Sequence, residues 1–127
     1  MSLMSKPFDV VGVGLNATDT VLLVPHFPEY AGKAPFHDEV MSPGGQVASA
    51  VVAYQRLNLQ TKYINSINDD LHNTIQMKSL IDEDINVDHV QIRLGCPNQS
   101  TYIIVDQQTN KRLEDRKVKK RTMKYSQ

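Results

Sequence analysis

Two stretches with helical periodicity, separated by short β-branched runs, constrain this chain more than any other feature. Val47, Ala50, Val51, Tyr54 and Leu57 recur at spacings of three and four, which places them on one face of a helix over about 47–57. Leu71, Ile75, Lys78 and Ile81 repeat that period over 71–81, with Asp69 or Asp70 suited to cap the first free amides. Around them lie candidate strands. Phe8 to Gly14 is β-branched and closed by glycine, and Thr20 to Val24 is stopped by Pro25 and Pro28. Ala34 to Met41 is read as a third strand returning beside the second, and 61–64, 87–92 and 101–105 complete the set. Strands that alternate with helices predict right-handed crossovers and a largely parallel sheet, an α/β fold.

The 127 residues fit one domain, and 40% hydrophobic with 22% charged residues argues against wholesale disorder. Val21-Leu22-Leu23-Val24 is too short to span a bilayer, so no membrane partner is expected. Cys96 is the single cysteine, which excludes an intramolecular disulfide and multi-cysteine zinc sites and suits a cytoplasmic location. Met1-Ser2-Leu3 before Met4 reads as an expression leader, and no charged start followed by a long apolar stretch marks a secretory signal.

The net charge of zero hides an asymmetry. Residues 1–110 carry a formal charge of −6 and residues 111–127 a charge of +6. This divides the chain into a body over 4–110 and a basic C-terminal tail over 111–127. The tail reads either as a solvated helix or frayed end, or as a nucleic-acid contact. No aromatic residue is interleaved with its basic ones before Tyr125, which disfavours single-strand binding.

Ligands of open α/β sheets bind where strands end and helices begin. Ser42-Pro43-Gly44-Gly45-Gln46, a turn by composition, precedes the first helix. Its glycines suit either a tight turn or a close approach of oxygen-rich groups to free helix amides. Asp19, beside Asn16, is either an exposed turn residue or an acceptor for two neighbouring hydroxyls, as on a sugar. Gly12-x-Gly14 lacks the third glycine and the following helix of a dinucleotide fingerprint, and no Walker-type loop is present. His26, His37, His72 and His89 have no metal-ligand spacing, so no metal site is expected. Cys96 reads as inert.

Four segments in order across residues 8–110 carry a resemblance. They are Gly14-Leu15-Asn16-Ala17-Thr18-Asp19, Ser42-Pro43-Gly44-Gly45-Gln46-Val47-Ala48-Ser49-Ala50, Tyr63-Ile64-Asn65-Ser66-Ile67-Asn68-Asp69-Asp70 and Ser100-Thr101-Tyr102-Ile103-Ile104-Val105-Asp106. Together they resemble the N-terminal part of the ribokinase-like (PfkB) family of sugar and nucleoside kinases. The resemblance implies a ribokinase-like α/β fold, with a partial, mostly parallel sheet flanked by helices and a small β-lid near 20–24, 34–41 and 101–105. It implies a sugar or nucleoside substrate, ATP and Mg as cofactors, and a homo-oligomer built through lid strands. Substrate hydroxyls would fall to Asp19, Gly44 and Gly45, with Asn16 nearby. Ser49 stands where members carry a substrate-binding asparagine, and Tyr102 or Ile104 would reach the sugar from the lid.

The departures carry information too. Asn58, Asn65, Asn68 and Asn73 stand where the family commonly has glycine, and Asn is the next residue most tolerant of left-handed turns. The family's Gly-Ala-Gly-Asp motif, which supplies the anion hole and catalytic aspartate, has no counterpart in 107–127. The expectation is a truncated kinase that keeps the substrate-binding half and lid, with no catalytic residue, ATP site or activity of its own. Two other readings compete with it, a self-associating module built on lid and sheet edges and nucleic-acid binding through the basic tail.

Overall fold

A computed structural model describes residues 5–117. In chain order the elements are β1 (Val10–Val13), β2 (Ala17–Val24), β3 (Asp38–Gly44), α1 (Gln46–Arg56), β4 (Thr61–Ile64), β5 (Ser66–Ile67), α2 (Leu71–Ile81), β6 (Gln91–Ile92), β7 (Ser100–Asp106) and β8 (Arg112–Lys117). The α/β expectation holds, but the strands divide into three small sheets. β1 pairs with β4 and β5 with β6, both in parallel, while a four-stranded sheet runs in the order β3-β2-β7-β8.

Backbone bonds flank both parallel pairs. Tyr63 N donates to Asn86 O at 2.9 Å and Gln91 N to Asn65 O at 2.9 Å. The expected strand over 87–92 shrinks to Gln91–Ile92 because the chain turns before it. Val90 N donates to Val87 O, and both valines pack on the core instead of extending the ladder.

The four-stranded sheet contains the expected lid strands. β3 returns antiparallel beside β2, and β7 joins β2 in parallel, with Asp19 opposite Thr101. One element departs from expectation. Residues 112–117 are neither a solvated helix nor a frayed end; they form β8, antiparallel to β7. The remainder of the basic tail, 118–127, and the nucleic-acid contact assigned to it lie outside the described residues.

The core is a cluster of Ala48, Val51, Tyr63, Leu80 and Ile85 between α1, α2 and the β1–β4 pair. Each helix is rotated from its sequence-based face. Ala48 and Val51 are buried on α1, whereas Tyr54 and Leu57 are exposed. On α2, Leu80 and Gln76 are buried while Ile81 is half-exposed. Asp70 caps α2, its carboxylate accepting from Asn73 N at 3.1 Å and Asn98 Nδ2 at 2.7 Å. Of the four asparagines in glycine-like positions, Asn58 alone is left-handed, at φ 64°. Asn65 serves differently, accepting from Ser66 N and donating to the Tyr63 hydroxyl. No helix among the described residues is long and apolar enough to cross a membrane.

Candidate functional site

The site grows from one close approach. β3 does not end in a free turn at Ser42 but continues through Gly44, where it pairs with Ala17. A β-carbon on Gly44 would lie 2.4 Å from Asp19 Oδ2, so the carboxylate rests directly on that glycine. Gly45 then takes φ 96°, and a β-carbon there would meet Asn16 Cα at 2.7 Å and Leu15 O at 2.8 Å. Gly45 therefore requires glycine for both space and conformation, while the missing side chain at Gly44 leaves room for the Asp19 carboxylate.

Gly45 is the N-cap of α1 and brings no side-chain cap. Ala48 N donates to Leu15 O at 3.2 Å, which ties the helix start to the loop after β1. The first turn of α1 thus stands beside the Asp19 carboxylate, and its amide dipoles favour oxygen-rich groups.

A cleft of about 440 Å³ opens there, lined by Asp19, Gly45, Gln46, Ser49, Thr101 and Glu114 among others. Ser49 also borders a second cleft of about 310 Å³ between α1 and α2, shared with Gly44. Glu114 and Thr101 escaped the sequence reading. Strand β8 had a usable signal, because the turn residues Thr109-Asn110 lead into a segment that mixes Leu113 with charges. Asn110 takes φ 55° in that turn.

The other candidates fall elsewhere. Asn16 is buried and borders a neighbouring cleft of about 280 Å³ with Asn65, Arg93 and Asn98. Among the described residues neither Asn16 Oδ1 nor Nδ2 has a hydrogen-bond partner. Tyr102 and Ile104 register with Thr20 and Leu22, one residue out of phase with Asp19 and Thr101. Alternation along the strands puts them on the opposite face of the sheet from Asp19. The pleat therefore brings together Asp19, Gly44, Gly45, Ser49, Thr101 and Glu114, and leaves Tyr102 and Ile104 behind.

Tyr63 ties together two residues that line the neighbouring cleft, Gly14 and Asn65. Its hydroxyl donates to Gly14 O at 2.5 Å and accepts from Asn65 Nδ2 at 2.9 Å. Burial pushes the phenol up to about 12, against the opposing effect of Asn65, so it remains a donor throughout the neutral range. Among the described residues, the ionisable side chains that line the cleft are the carboxyls of Asp19 and Glu114. Among the described residues no group of three or more His, Cys, Asp or Glu side chains is arranged to hold a metal ion.

The family model of the pfkB family of carbohydrate kinases matches residues 8–123. No curated protein matches the chain. Solved structures do. The nucleoside kinase of Methanocaldococcus jannaschii, an archaeal member of the ribokinase family, superposes with a TM-score of 0.75 at 20% identity, covering 84% of this chain and 36% of its own. Arabidopsis thaliana ribokinase, solved with ribose and ATP, gives 0.77 at 16% identity over 84% of this chain and 35% of its own. Thermotoga maritima ribokinase gives 0.76 at 19% identity over 87% and 36%. At such identities the likeness is one of fold, and the chain spans about a third of the length of these relatives.

Proposed function

Because the chain belongs to the pfkB family of carbohydrate kinases, matched over residues 8–123, we propose that its Asp19 cleft is the sugar-holding side of such a kinase. The observation that carries this reading is the Asp19 carboxylate lying on Gly44, beside the start of α1. An ionised carboxylate only accepts hydrogen bonds, and its two oxygens suit a pair of adjacent hydroxyls. Thr101 and Ser49 add hydroxyls that both donate and accept, and Glu114 brings a second carboxyl to the rim. The substrate class is a sugar or the ribose of a nucleoside. Tyr102 and Ile104, turned to the other face, are left out of the contact set, and Asn16 lines the adjoining cleft.

ATP and Mg are expected for the family, where the nucleotide supplies the transferred phosphoryl group. Among its described lining residues the cleft carries no Lys or Arg to hold a polyphosphate. The 127 residues also carry no Gly-Ala-Gly-Asp motif. This chain alone is therefore proposed to bind sugar without phosphorylating it. The test is a thermal melt with a panel of sugars and nucleosides, since a ligand of the folded state raises the midpoint by mass action. One polyol should raise the midpoint, and Asp19→Asn should abolish the rise while leaving the unliganded melt nearly unchanged. A shift that survives Asp19→Asn overturns the assignment of the cleft. ADP release from ATP in the presence of sugar overturns the absence of transfer.

A further inference from the structure

Helix α1 carries one row of side chains from the Asp19 cleft into the next. Gln46, Ser49 and Val52 stand three residues apart, so each neighbours the next at about 5–6 Å between β-carbons. Gln46 lines the Asp19 cleft, Val52 lines the cleft between α1 and α2, and Ser49 lines both. The two clefts, of about 440 and 310 Å³, thus follow one another along a single helix face and adjoin at Ser49. A helical side chain leans over the turn before its own Cα. The residue at 49 therefore stands over Gly45 and Gln46, and serine fills little of that passage.

The second cleft has the lining of a neutral, hydroxyl-rich ligand. Ala48 and Val52, both packed on the core, give it an apolar floor. Ser79 adds a hydroxyl that donates to Gln76 O at 2.7 Å, and its oxygen can still accept. Arg56 is the one cation among the described lining residues, and Glu83 holds its Nε and Nη2. A phosphate substituent would therefore compete with a carboxylate for that guanidinium. A sugar ring would not, because it sets C–H groups on an apolar floor and hydroxyls against a polar rim.

Resting on the sugar reading of the Asp19 cleft, we propose that the ligand is a neutral disaccharide and that the α1–α2 cleft is its second subsite. The first ring lies at Asp19, the glycosidic link passes Ser49, and the second ring lies on Ala48 and Val52. Each cleft reaches the size at which small-ligand pockets begin, about 300 Å³. Ser49 is then the residue that sets specificity. Its small side chain keeps the passage open, and its hydroxyl can donate to or accept from the linked sugar.

The experiment is calorimetric titration of the full chain with glucose and fructose and with sucrose, maltose and cellobiose, beside a circular-dichroism melt of each variant. One disaccharide should bind about tenfold tighter than either of its component sugars, the gain from burying about 55 Å² of apolar ring face. Ser79→Tyr fills the second cleft from α2 and should bring that ratio to about one. Ser49→Asn narrows the passage and should lower the ratio as well. Should Ser79→Tyr unfold, Ser49→Asn at its exposed helix position decides. Monosaccharide binding without a disaccharide advantage overturns the second subsite and leaves the Asp19 reading standing. A ratio that survives the substitutions puts the second ring elsewhere and overturns it equally. Silence from every sugar overturns the Asp19 reading and this proposal with it.

Discussion

The two sides of α2 are filled by opposite chemistry. Toward α1 and β4 it buries Leu80 among Ala48, Val51, Tyr63 and Ile85. Toward the four-stranded sheet it buries Gln76, which donates from Nε2 to Thr18 Oγ1 at 3.1 Å beside buried Thr20 and Ser100. Gln76 Oε1 and Thr20 Oγ1 find no partner among the described residues. Burial of apolar area is the main stabilising term in a domain, whereas a buried polar atom without a partner costs about 1–3 kcal/mol. The apolar side thus holds the fold, and the polar side is a weaker joint between the α/β part and the sheet bearing Asp19.

That contrast is testable, starting with its largest expected effect. Leu80→Ala removes a fully buried side chain and should cost about 2–5 kcal/mol in a urea titration. An equal loss from an apolar substitution on the polar side would erase the distinction. Tyr63→Phe comes next, at about 1–3 kcal/mol near neutral pH, because Gly14 O loses its donor. The pH dependence has a definite sign. The folded phenol titrates near 12 and the ordinary one at 10.0, so between these values the unfolded chain ionises while the folded chain does not. Stability is full below pH 10 and falls toward 12, by at most about 1.4 kcal/mol per pH unit. Melting temperatures of Tyr63→Phe should lack that share of the alkaline decline.

The seam itself should respond weakly. Thr18→Val combined with Gln76→Leu replaces both partners of one bond with apolar groups and removes the unpartnered Gln76 Oε1. Its effect should lie within about 1 kcal/mol of neutral and favour stability. A large loss would make the seam a true structural contact. Asp106 gives the smallest effect. Burial alone would raise its carboxyl, but amides of Thr109, Phe27 and Gln108 outweigh that and hold it below the usual range. Its contribution is present above the unfolded value of 3.8 and is lost as pH falls through the lower folded value. Hydrogen exchange at Phe27 should quicken in that acid window, and Asp106→Asn should remove the dependence.

Much of this architecture was legible before any coordinates. β4 and α2 fall on their predicted bounds, and β1, β2, β7 and α1 lie within a few residues of theirs. Their signals are local, namely β-branched runs, glycine and proline stops and helical period. β8 was missed because its charges imitate a solvated segment, and only pairing with β7 makes it a strand. The helix faces were misjudged for a related reason. Period locates a helix, but the stripe that is buried depends on what packs against it, here Gly12 against Val51 on α1 and Thr18 against Gln76 on α2.

The candidate site divides along the same line. Asp19, Gly44 and Gly45 announce themselves by residue type, since glycine leaves room for a carboxylate at 44 and accepts a φ of 96° at 45. The partners on β7 and β8 do not. Register with period two decides whether a side chain faces the cleft or turns its back on it, and a shift of one residue separates Thr101 from Tyr102. The sequence by itself therefore determined the order of elements, the glycine turn and the acidic residue beside it, all set by local stereochemistry. The tertiary structure decided which strand faces meet, because register and packing depend on pairings between residues as far apart in sequence as Asp19 and Thr101.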